Sequence, residues 1–170
     1  MTRATESMST WNRQRKAARE GRAFIPATGL VDDLVTAVGA SRGRPFRILG
    51  APLRGTMTSG AWVPTTKADY VLYPQSASPT RREAVICHEL GHVLLHHDPA
   101  LHDALTPALL GEVAPSLSLS TARAMLFRSS YTNREEADAE YVGTVLATAL
   151  ADRREARDWE SSSRLSEHLR

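Results

Sequence analysis

The sequence predicts an α+β fold: a small antiparallel three-stranded sheet packed against a helix that carries His88-Glu89-Leu90-Gly91-His92 and against a later helix rich in glutamate. Three observations predict it. Three short runs with strand composition follow one another between residues 46 and 73. Apolar residues at helical spacing bracket those runs on both sides. The composition, 42% hydrophobic and 24% charged in 170 residues, suits a globular chain with one main core.

Residues 1–29 read as a weakly ordered basic arm. A helix from Trp11 to Ala23 has only a thin apolar face, and Pro26 and Gly29 punctuate the residues after it. From Leu30 the pattern turns helical: Leu30, Val31, Leu34, Val35 and Val38 recur at threes and fours, and Gly39 offers a stop. After a turn at Ser41–Pro45 come the strand candidates Phe46–Leu49, Ala61–Val63 and Asp69–Tyr73, separated by Pro52, Gly55, Gly60 and Pro64 and closed by Pro74. Ser78 or Thr80 caps the next helix, which runs to about His97 before Asp98-Pro99. Ser120–Phe127 is a further helix, and Asn133 caps a long one through Leu150. Residues 30–151 are thus the expected domain, and 152–170 a charged tail that buries little.

Charge and composition exclude several classes of function. The net charge is +2 from 21 basic and 19 acidic side chains. The excess sits in residues 1–22, with six Arg or Lys against two Glu, whereas residues 23–151 hold ten basic against twelve acidic. Without a concentrated basic face in the domain, direct nucleic-acid binding is not expected. No apolar run reaches the 18 residues that a membrane helix needs. The first twenty residues are polar and arginine-bearing, unlike a secretory signal. The single cysteine, Cys87, forms no internal disulfide, in keeping with a reducing cytoplasm.

The chemistry is concentrated in His88-Glu89-Leu90-Gly91-His92. On a helix, residues i and i+4 lie one turn apart on one face, so both imidazoles reach a single ion. Glu89 projects about 100° around the axis, beside that ion, where it can hold a water and take its proton. Zinc suits imidazole and lowers the pKa of bound water to about 7, which makes such a base effective at neutral pH. Flanking Val85, Ile86, Val93, Leu94 and Leu95 bury the helix, and a buried His-Glu-His set without a partner would cost several kcal/mol. A third ligand has three candidates. Glu136, Ala139, Glu140 and Gly143 share one face of the later helix, and its two small residues allow close approach, so Glu136 is the favoured ligand. Glu140 would then hydrogen-bond a ligand histidine. Glu140 itself and Asp98 are the alternatives. His96, His97 and His102 read as lying too far along the axis, on the surface or behind the ligands.

These segments resemble the ImmA/IrrE family of zinc metallopeptidases. Gly60-Ala61-Trp62-Val63, then Ala84 through Leu95 with the His-Glu-x-x-His core, then Glu136-Ala137-Asp138-Ala139-Glu140 match its successive elements, over roughly residues 30–150. The resemblance implies zinc held by His88, His92 and Glu136, with Glu89 as the catalytic glutamate. It also implies a cytoplasmic peptidase acting on a helix-turn-helix repressor, often in phage or mobile-element regulation. Glu140 departs from the Asn or Asp frequent there. The alternative function is a zinc-containing anti-repressor that binds without cutting. Among other residues, Cys87 is expected in the core, Trp62 as an anchor of the sheet, and Tyr131 and His97 as structural or oxyanion-facing groups. Arg81 and Arg82 oppose the helix dipole in the first turn of their helix.

Overall fold

A computed structural model describes residues 2–51, 60–64, 68–97 and 131–168. Within them the chain runs α1 (Thr2–Arg22), α2 (Val31–Ser41), β1 (Phe46–Ala51), β2 (Ala61–Pro64), β3 (Asp69–Pro74), α3 (Pro79–Leu94) and α4 (Asn133–His168). The expected α+β class holds, with a three-stranded sheet against helices. The helix expected at Ser120–Phe127, together with Asp98 and His102, lies outside the described residues.

The sheet differs from the expected antiparallel one. Its order is β1-β3-β2, with β3 antiparallel to β2 but parallel to β1. The chain reverses direction between successive strands, as the turn residues demand. However, β3 inserts between its predecessors, so the strand beside β1 is the one pointing the same way. Turn chemistry encodes reversal and leaves lateral order open. β3 takes the central place, with its adjacent residues Val71 and Leu72, which point to opposite faces, both fully buried.

Asp69, buried at the start of β3, accepts a hydrogen bond from the Trp62 indole at 3.2 Å and pairs with Arg44 at 3.0 Å. Trp62 therefore lies in the core with its N–H satisfied, as an anchor between sheet and helices. Leu34, Val35 and Val38 of α2 join Ile86, Leu90 and Val93 of α3 and Val142, Leu146 and Leu150 of α4 in the same cluster.

Gly39 does not stop α2. The helix continues to Ser41, and the left-handed residue is Gly43, at φ 64°. Gly39 instead lets the chain double back, since a Cβ there would lie 2.8 Å from the Arg44 carbonyl. Ser78 caps α3, accepting from the Arg81 amide, with Pro79 in the first turn. Arg82 has a partner after all: its guanidinium grips the Asp32 carboxylate at 2.7 and 2.9 Å and holds its pKa below the usual range. Nothing in the structure explains Arg81.

Both end segments are helical and make contacts that their composition does not signal. α1 is a helix of 21 residues rather than a weakly ordered arm. Ala17 and Ala18 are 4% and 5% exposed against the core, so small size rather than bulk makes the contact. α4 continues unbroken past residue 151. Arg154 reaches back to the Gly29 carbonyl at 2.7 Å and to Glu83 at 2.8 and 3.0 Å, tying the expected tail to the segment before α2 and to α3. The cap of α4 is Thr132 rather than Asn133. The Thr132 amide donates to the Glu135 carboxylate at 2.8 Å and the Glu135 amide to the Thr132 hydroxyl, a reciprocal capping box.

Candidate metal centre

The site sits where α3 crosses α4, and small residues set the approach. A Cβ on Gly91 would lie 2.5 Å from the Ala139 carbonyl oxygen, and one on Gly143 would lie 2.8 Å from the His88 Cα. Backbone therefore packs on backbone at two points flanking the histidines. Across that seam His88, His92 and Glu136 come together, with one donor atom from each within 4.8 Å of the others. His88 Nε2 is 3.1 Å from His92 Nε2 and 3.2 Å from Glu136 Oε2, while His92 Nε2 is 3.9 Å from Glu136 Oε1. Around a tetrahedral zinc with bonds near 2.0–2.2 Å, donors stand about 3.3 Å apart. Two of the three separations match that spacing and the third, to the other Glu136 oxygen, is longer, so the residues fit a metal ion. Two imidazoles and a carboxylate form the three-ligand set of sites that keep a position open.

Glu140 lies on the far side of His88, its carboxylate accepting from Nδ1 at 3.2 Å. That contact orients the ring so that Nε2 faces inward. Burial opposes the charging of His88, but the Glu136, Glu89 and Glu140 carboxylates outweigh it and raise its pKa.

Glu89 is 3% exposed, and its Oε2 has no hydrogen-bond partner among the described residues. Burial pushes its carboxyl up to about 7, against the pull of His88 and of a hydrogen bond from the Trp62 backbone. A buried carboxylate oxygen without a partner is costly unless something else enters the space beside it. β2 makes the room tight: a Cβ on Gly60, just ahead of it, would lie 2.9 Å from Glu89 Oε1.

The surroundings of His92 are only partly legible in the sequence. His92 is 1% exposed and stacks on Tyr131, with centroids 3.6 Å apart at 14°. Its Nδ1 is 2.9 Å from Nδ1 of His97. Instead of running on to His97 as expected, α3 ends at Leu94, and His96 takes a left-handed conformation at φ 56°. His96 thus points away, exposed, rather than a further turn along the helix. Asp138, 3% exposed on α4, accepts from the Gln14 amide of α1 at 2.6 Å and faces Arg13 at 3.8 Å. Sequence reasoning misses that link, because a lone glutamine in a polar helix carries no signal. Cys87 is buried, and its thiol is pushed up to about 12 by burial, so it packs as an apolar group.

Residues 46–114 match the Peptidase M78 family model, described as an IrrE N-terminal-like domain. That span of the chain is similar to the family's domain. The matched span takes in the whole sheet and α3 with His88, Glu89 and His92, and it ends before Glu136 and Glu140 on α4. No curated protein and no solved structure matches the chain. The likeness to a peptidase family implies a protein substrate. Among the described residues no helix is long and apolar enough to cross a membrane.

Proposed function

We propose that this protein is a zinc-dependent metalloendopeptidase with His88, His92 and Glu136 as metal ligands and Glu89 as catalytic base. The observation that carries the reading is the donor triangle with, on the next position of the same helix, a buried carboxylate oxygen of Glu89 that has no partner among the described residues. A zinc ion held by His88, His92 and Glu136 would supply Lewis acidity toward the scissile carbonyl and would lower the pKa of water to about 7. Glu89 orients the attacking water, accepts its proton at the free Oε2 and passes it to the leaving amine. Glu140 keeps His88 in register. The substrate backbone lies along β2, the edge strand on the Glu89 side, as an added strand.

The substrate is a helix-turn-helix repressor, and the compartment a reducing cytoplasm. The family resemblance supports the first, and the lone thiol of Cys87 is in keeping with the second. The test mixes the chain with a helix-turn-helix repressor from the same genome. Wild type yields fragments, while Glu89→Gln keeps its zinc, binds the repressor and leaves it whole, about 10² to 10⁴ slower. If neither protein yields fragments and both relieve repression equally, the chain is a zinc-containing anti-repressor.

A further inference from the structure

The two histidines at the centre are held by different groups. His88 has the Glu140 carboxylate behind it, the usual arrangement for a ligating imidazole. His92 has another imidazole, that of His97. The turn ending α3 produces this. The His97 amide donates to the His92 carbonyl at 3.1 Å and the His96 amide to the Val93 carbonyl at 3.2 Å. Those paired bonds need a left-handed residue between helix and exit, usually glycine or asparagine. Here it is His96, at φ 56°. The consequence is that residue 97 folds back over the last turn and its ring reaches His92.

Two ring nitrogens 2.9 Å apart hold one proton between them, so one donates and the other accepts. The roles follow from the opposite side of His92. Its Nε2 faces His88 Nε2 and Glu136, where a ligating nitrogen must be bare. A neutral His92 then carries its proton on Nδ1, and His97 must present a bare Nδ1 to receive it. We propose that His97 is a positioning residue that accepts the His92 Nδ1–H and so holds the His92 ring with Nε2 bare toward the metal position. This rests on the metal-site reading given above. His97 touches neither metal nor substrate in this role. It acts through His92, and the left-handed turn at His96 brings it there.

The test uses full-length protein and zinc alone. Zinc affinity is read by competition with a chromophoric chelator, and the ligand field by the visible spectrum after cobalt substitution. His97→Ala is expected to bind zinc about 10- to 100-fold more weakly, with an altered cobalt spectrum. His97→Asn, whose side-chain oxygen accepts at a similar reach, restores most of the affinity. Nitrogen-15 correlation spectra of the zinc-loaded wild type give a reading independent of any variant: the proton is expected on Nδ1 of His92 and on Nε2 of His97. Unchanged affinity and spectrum in His97→Ala would overturn the proposal, as would a proton on Nδ1 of His97. So would an asparagine variant as weak as the alanine one, since packing rather than acceptance would then be at work. A wild type that binds no zinc is a different failure, because it removes the metal site itself.

Discussion

Two seams meet on α4. On one side α3 crosses it at Gly91, Ala139 and Gly143; on the other α1 lies against it with Ala17, Ala18 and Gly21. Both use small residues, but for different ends. At the α3 seam the atoms opposite each glycine are backbone, so the approach is fixed and the ligand side chains are brought to one point. At the α1 seam the atoms opposite Gly21 are the methyl ends of Leu146 and Leu94, which can shift. The first seam leaves no give at either glycine, whereas the second is cushioned by side chains.

The comparison is broken or sharpened by graded changes. The largest effect concerns the charge beside the rigid seam. Glu89 has a folded-state pKa raised from 4.5 to about 7, so the folded protein keeps its proton where the unfolded chain has lost it. Stability of chelator-stripped protein should therefore fall as pH rises from about 4.5 through 7, by on the order of 3 kcal/mol. Glu89→Gln should remove that dependence, as read from urea midpoints across pH. Next, Gly91→Ala pushes a methyl into the Ala139 carbonyl and should cost about 2 kcal/mol, with zinc content reduced. Denaturation and metal analysis of the same sample report both. Third, Gln14→Ala withdraws the donor that satisfies buried Asp138 and should cost about 1 to 2 kcal/mol by the same urea assay. Smallest is Gly21→Ala. The gain in helix propensity, about 1 kcal/mol, offsets the shift of two leucine methyls, and the midpoint should move by less than about 0.5 kcal/mol. If Gly21→Ala proved as damaging as Gly91→Ala, the two seams would not differ in rigidity.

The same contrast explains what the sequence reveals. His88, Glu89 and His92 are legible because helical spacing alone puts them on one turn, and Glu136 because two small residues share its face. α1 is not legible as a packed helix, because periodicity weighs bulky apolar side chains and an alanine pair adds little. The lateral order of the strands depends on burial of β3 from both faces, which no turn residue encodes. The Thr132–Glu135 box is written in the sequence as T-x-x-E, but the neighbouring Asn133 is the stronger cap by residue preference and hides it. The fold-back of His97 has no signal, since a histidine in left-handed conformation departs from the residue preference that would mark it.

The central claim is that His88, His92 and Glu136 hold one metal ion with Glu89 beside it. The most direct measurement is anomalous diffraction at the zinc edge from crystals of the zinc-loaded protein. The account predicts a single strong peak bonded at about 2.0–2.2 Å to His88 Nε2, His92 Nε2 and a Glu136 carboxylate oxygen, with Glu89 close by but not bonded. A peak bonded instead to Asp98, Glu140 or His97, or no peak between α3 and α4, would contradict it.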